Sequence, residues 1–128
     1  MKAIETTVAM SLADAETAVR AALGEEGFGV LTEIDVAATL KAKLDVDRAP
    51  LKILGACNPD LANRALDIDP SVALLLPCNV ILEPADGGRT HVAAVDPHEL
   101  MSDQRFSALA DDAAARLRRA LGRLAGDR

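Results

Sequence analysis

The sequence predicts a mixed α and β domain in which helices cover one face of a single open sheet. Three observations carry that expectation. Five short stretches with strand patterning are separated by stretches with helical spacing. Cap and turn residues stand at the junctions between them. At 128 residues the chain has the length of one domain, and no linker or low-complexity segment divides it.

Residues 3–9 read as the first strand. Ser11 then caps a helix whose apolar stripe is Leu12, Ala15, Val19, Ala22 and Leu23, and Gly24 with Gly27 ends it. Phe28 to Asp35 returns as a strand, with Phe28, Val30, Thr32 and Ile34 on one face and Glu33 on the other. Asp35 is placed to cap a second helix, along which Val36, Leu40 and Leu44 share one side until the stretch 45–50 breaks it. Leu51 to Cys57 is the third strand. Asn58 caps a short third helix with Pro59 at its first position, where a missing N–H costs nothing, and Leu61, Ala65 and Leu66 are its buried side.

Val72 to Leu82 is predicted as the fourth strand and Arg89 to Val95 as the fifth, with Asp86-Gly87 as the hairpin signal between them. Asp96-Pro97 starts a short helical turn. From Asp103 to Leu124 the stripe Phe106, Leu109, Ala113, Leu117, Leu121 and Leu124 marks a long terminal helix. The fourth strand is apolar on both sides, so both faces are expected to be covered. Helices can cover one; a second copy of the chain is the economical cover for the other, which predicts a homodimer.

Half of the residues are apolar and only 2% are aromatic, so the core must be built from Leu, Val, Ile and Ala. The formal net charge is −6, which disfavours nucleic acids and anionic membranes as partners. The basic cluster Arg116, Arg118, Arg119 and Arg123 is spaced as a solvated face near the end of a helix. The longest apolar run is too short to span a bilayer as a helix. Met1-Lys2-Ala3 runs into the first strand without a secretory leader, so the two cysteines are expected to be reduced thiols in a cytoplasmic protein.

Those cysteines are each followed by asparagine. Gly55-Ala56-Cys57-Asn58-Pro59 ends the third strand, and Leu76-Pro77-Cys78-Asn79-Val80 lies in the fourth. Both can be small buried hydrophobes, or a thiol or metal site. Cys57 precedes a helix start, which could favour its thiolate, whereas Cys78 among leucines should be inert. If strands three and four run parallel, the thiols fall at the same strand end. If they run antiparallel, Cys57 lies near Val72 and Cys78 near Leu51, roughly 20 Å apart at strand rise.

A closed zinc site needs four ligands. With a two-residue hairpin turn His91 would pair with Leu82, roughly 13 Å from the partner of Cys78, too far to share a metal. His98 is expected on a solvated turn. Asn79 sits inside an apolar strand just after Pro77, which points to a bulge or an edge and to a candidate binding position. Glu33 and Lys43 are a candidate acid and base, against the plainer reading of a solvated face. Nothing resembles a phosphate loop, a Ser/His/Asp triad or a paired-cysteine redox motif.

Taken together, Thr32-Glu33-Ile34-Asp35-Val36, Lys41, Lys43, Ile53 to Pro59, Leu61-Ala62, Ala65-Leu66 and Leu75 to Val80 resemble the domain of unknown function 302 family. The resemblance runs from about the first strand to Pro97. It implies an α+β fold with a single, mainly antiparallel sheet of five strands backed by helices, similar to the TATA-box-binding-protein-like arrangement and usually dimeric. An antiparallel sheet argues against an intrachain disulfide. No biochemical activity, cofactor or catalytic residue comes with the family.

The sequence reading is therefore a homodimeric binding module for a small apolar ligand or a partner protein. Its candidate site is Cys57, Asn58, Cys78 and Asn79, with Glu33 and Lys43 as further candidates and no metal. The alternative is a thiol-dependent redox or metal-handling protein using Cys57, Cys78 or both.

Overall fold

A computed structural model describes residues 1–126 of the chain. Helix starts follow the local chemistry closely. Ser11 accepts from the Asp14 N–H and opens α1 (Leu12–Glu25). Asp35 accepts from the Ala38 N–H and opens α2 (Val36–Leu44), which ends at Asp45 in the left-handed region at φ 54°. Asn58 accepts from the Leu61 N–H and opens α3 (Pro59–Ile68). Asp96 does the same for the single turn α4 (Pro97–Leu100), and the long terminal helix α5 spans Ser107–Gly126.

The strands β1 (Ala3–Val8), β2 (Gly29–Asp35), β3 (Lys52–Cys57), β4 (Cys78–Ala85) and β5 (Arg89–Val95) form one open sheet in the order β1-β5-β4-β3-β2. Every neighbouring pair is antiparallel. The architecture is thus α+β, as expected.

Alternation divides the sheet into two unlike faces. Val8, Leu54, Ala56, Val80, Leu82, Val92 and Ala94 point to one side and are fully or almost fully buried beneath Ala15, Val19 and Leu23 of α1 and Leu117, Ala120, Leu121 and Leu124 of α5. A second cluster packs Leu61 and Ala65 of α3 and Val72 against Phe106, Leu109 and Ala113. Alanine supplies an unusual share of both clusters and of the α5 seam, where Ala110, Ala114 and Ala120 are completely buried. The other face is not covered by α1 or α5, and at one end it is bordered by residues 74–76 and by Leu100 of α4. One row across all five strands reads Glu5, Ala93, Ile81, Ile53, Ile34, from the pairings of β1 with β5, β5 with β4, β4 with β3 and β3 with β2.

The fourth strand departs from expectation. Residues 72–77 are not strand: Pro70–Leu75 form a 3-10 turn, and the Leu76–Pro77 peptide is cis before the strand begins at Cys78. The Asp69 carboxylate, accepting from both the backbone and the hydroxyl of Ser71, starts that turn. A short apolar run does not distinguish a doubly covered strand from a turn with one buried anchor. Here Val72 is the anchor, while Leu74 is 87% exposed. The register changes accordingly: Ala56, not Leu51, is the neighbour of this stretch and pairs with Cys78. The β4–β5 connection also holds three residues, Asp86–Gly88, with Gly87 and Gly88 at φ 74° and 72°. His91 therefore faces Glu83 rather than Leu82.

Close approach on the open face requires glycine at 55. A Cβ there would stand 2.1 Å from Thr32 Oγ1 and 2.7 Å from Pro77 Cγ. Gly55→Ala should destabilise the protein by roughly 1–3 kcal/mol, as overpacking does. Urea unfolding would measure it, and Thr32→Ala in the same chain should recover part of the loss; an unchanged midpoint for the single variant would contradict this packing.

Candidate functional site

Antiparallel pairing of β3 with β4 brings the two Cys-Asn motifs together, contrary to the wide separation that antiparallel strands implied in sequence. Cys78 pairs with Ala56, the residue before Cys57. Both thiols are free, and both line one apolar cavity of about 30 Å³ with Phe28, Leu61, Leu76 and Met101. That volume is near the room one water occupies and far below the roughly 300 Å³ where ligand pockets begin. The motif is therefore a packing junction in its present form.

Asn58 confirms the structural role of a cap and adds a second bond. Its Oδ1 accepts from the Leu61 N–H, and its Nδ2 donates to the Glu26 carbonyl, both at 3.2 Å. Asn58 is buried, and both ends of its amide are engaged within the chain.

Start of a helix or not, Cys57 does not gain acidity. Burial pushes its thiol above the ordinary value. Burial, helped by the neighbouring Cys57, pushes Cys78 up to about 11. Desolvation of the thiolate works against the lowering that a helix start could give Cys57. Among the described residues no group of three or more His, Cys, Asp or Glu side chains is placed to hold a metal ion.

Glu33 and Lys43 do not meet. Glu33 lies 2.9 Å from Arg20 Nη2 and 2.7 Å from Lys52 Nζ. Lys52 also holds Glu16, whose carboxyl is lowered first by that bond. Glu33 is thus part of a surface ion network. Lys43 is exposed and makes no ion pair among the described residues.

Asn79 stands apart from the other candidates. It lies on the open face opposite Gly55, is exposed, and its side-chain amide has no hydrogen-bond partner among the described residues. It lines a groove of about 450 Å³ with Leu75, Pro77, Ile81, Ala93 and Val95, closed at its sides by the chain start and Leu100. Lys2 and Asn79 are the polar side chains in its lining. Sequence patterning missed the groove because its wall, Leu74 to Pro77, was assigned to a strand. The readable signal was Pro77 itself, which cannot serve as a ladder donor.

Two histidines are clamped between carboxylates. His91 Nδ1 lies 2.8 Å from Glu83 and Nε2 lies 2.7 Å from Glu5. His98, expected to be solvated, instead bridges Asp96 at 2.6 Å and Asp111 at 2.7 Å, tying α4 to α5. The arginine cluster is likewise engaged and not simply solvated: Arg119 and Arg123 hold the buried Glu26, Arg116 holds Asp112 and Arg118 reaches Asp96.

The thiols and the histidines each generate a prediction. Cys57, the less buried thiol, should be alkylated before Cys78 at neutral pH, and both more slowly than a free thiol; peptide mapping after a short pulse gives the ratio. Faster reaction at Cys78 would contradict the burial order. Glu83, then Glu5, raise the pKa of His91, and Asp111, then Asp96, raise that of His98. Their contribution to stability is present in full below the ordinary 6.5 and is lost as pH rises through the raised values. The urea midpoint should therefore fall as pH rises above the ordinary 6.5 on account of these groups, and His91→Gln with His98→Gln should flatten that fall.

Comparison with known proteins agrees with this fold. The chain matches a crystal structure of an uncharacterized conserved DUF302 protein from Bacillus stearothermophilus with 29% identity and a TM-score of 0.87, over 97% of this chain and 98% of that one. No curated protein matches it. The profile of the domain of unknown function DUF302 matches residues 4–124, nearly the whole described chain, and the protein belongs to that family.

Proposed function

We propose that the chain is a homodimeric binding module and that its ligand site is the groove beside Asn79. The observation that carries this reading is the groove's size and lining. About 450 Å³ falls in the range of small-molecule sites, and apolar walls with a free amide at one point are what such sites use to hold and orient a ligand. A small aliphatic molecule with one polar end fits that description, with Asn79 or Lys2 meeting the polar end.

The dimer is supported by the apolar row Ala93, Ile81, Ile53 and Ile34, which runs from buried Ala93 at 7% through half-buried Ile81 and Ile53 to Ile34 at 46% exposure. Residues 72–77 lie outside the fourth strand, so their apolar pattern does not define a second sheet face. No helix among the described residues is long and apolar enough to cross a membrane. A cytoplasmic setting without nucleic-acid or membrane partners completes the proposal.

A thiol-dependent redox or metal-handling role is the second reading. It rests on the meeting of Cys57 and Cys78 at one cavity, and the raised thiol pKa values weigh against it.

Titration with decanoate, followed by amide chemical shifts, tests the main reading. Shifts should concentrate on Asn79, Ile81 and Ala93. Asn79→Ala should weaken binding by roughly 2- to 12-fold, the worth of one hydrogen bond. Ala93→Leu should block the groove, and Cys57→Ser should leave binding intact. Shifts centred on Cys57 and lost in Cys57→Ser would favour the thiol reading instead. Sedimentation equilibrium at micromolar concentration should give twice the 13.4 kDa of the chain.

A further inference from the structure

Helix α2 is built unlike the other long helices of this protein. Its residues Val36–Leu44 include no buried side chain. It has caps at both ends but only nine residues, and helices shorter than about 12 residues are marginal on their own. Val36, Leu40, Lys43 and Leu44 recur at the spacing of a single helix face. Leu44 is 65% exposed, and Lys43, in the middle of this apolar stripe, makes no ion pair among the described residues.

The open sheet face presents the complementary pattern. Its apolar row Ala93, Ile81, Ile53, Ile34 borders Glu5, and beside that row His91 sits between Glu5 and Glu83. Two carboxylates flank one imidazole, so this corner stays negative even with His91 protonated. It also lies at the sheet end where α2 is rooted: the Val36 N–H donates to the Leu51 carbonyl, and Lys52, next along, pairs with Leu82, the neighbour of Glu83.

We infer that the dimer is clasped by α2: each copy lays the Val36, Leu40, Leu44 stripe over the partner's isoleucine row, with Lys43 against the partner's Glu5 and Glu83. The occupant is a second copy of this chain because the two patches are opposite in charge, matched in apolar character and carried on one molecule. A two-fold axis then makes the contact twice. The clasp covers the His91 end of the face, and Ile81 and Ala93 belong both to the row it covers and to the lining of the groove beside Asn79. This inference rests on the homodimer reading.

Charge reversal tests it with the full chain. Sedimentation equilibrium of Lys43→Glu and of Glu83→Lys should each show dimerisation weakened by about tenfold or more, since like charges then face each other in both contacts. A mixture of the two single variants should recover wild-type affinity, because each heterodimer contact again pairs opposite charges. Leu40→Asp should give monomers; because Leu40 is partly buried in its own chain, Leu44→Asp, at a residue 65% exposed, is the companion variant and should give monomers with unchanged circular dichroism. A monomeric wild type would defeat the homodimer reading itself. A wild-type dimer that survives Lys43→Glu and Leu40→Asp, or single variants that fail to complement, would overturn the clasp and leave the dimer to another surface.

Discussion

The carboxylate of Glu26 is closed off from solvent at the end of α1, and two guanidinium groups of α5, from Arg119 and Arg123, hold it. The carbonyl of the same residue accepts from Asn58 Nδ2 and Arg116 Nη1. One residue therefore joins the end of α1, the start of α3 and the middle of α5. The arginines lower the acid's pKa, Arg123 first, against a burial cost that acts the other way. Breaking a fully buried pair costs roughly 3–5 kcal/mol, and the figure is smaller here because the arginine side chains are about half exposed. What the junction fixes is position. Asn58 is held from two sides, so Cys57 and the end of β3 are held as well, and β4 follows through its pairing with β3.

Local chemistry was legible in the sequence wherever one side chain decides the outcome. Ser11, Asp35, Asn58 and Asp96 each cap the helix their positions announced. Val72 to Pro77 was illegible because an apolar run records burial and not backbone direction. Leu74 and Leu75 belong to the wall of a groove, and nothing in their spacing says so. The hairpin register hung on whether Gly88 belonged to the turn, a one-residue choice that moves a histidine to a different partner. The arginine cluster had helical spacing, as expected, but its buried acceptor lies more than ninety residues earlier in the chain. Of the candidate residues, Asn79 lies in the lining of the groove, Asn58 is buried with both ends of its amide bonded, and Glu33 sits in an ion network.

The two Cys-Asn motifs look alike in sequence and do unlike work. The first asparagine is inward, buried and bonded at both ends; the second is outward and free. Pro59 starts a helix after one motif, and Pro77 turns the chain into a strand before the other. Pairing Ala56 with Cys78 sets the motifs side by side, so a packed cavity on one face of the sheet backs onto an open groove on the other. A ligand-sized space and two thiols, one buried and one half-buried, thus share the same few residues of backbone.

The alanine seam between α5 and the sheet gives this fold an uneven tolerance to genetic drift. Truncation is the commonest way a core loses stability, and completely buried residues such as Ala56, Ala110, Ala114 and Ala120 have almost nothing left to truncate. Growth is the opposite case. An added methylene at Ala110, Ala114 or Ala120 has to displace packed neighbours of a helix of twenty residues. Variation in size should therefore be rarest along the seam, which stays small in every descendant that still folds.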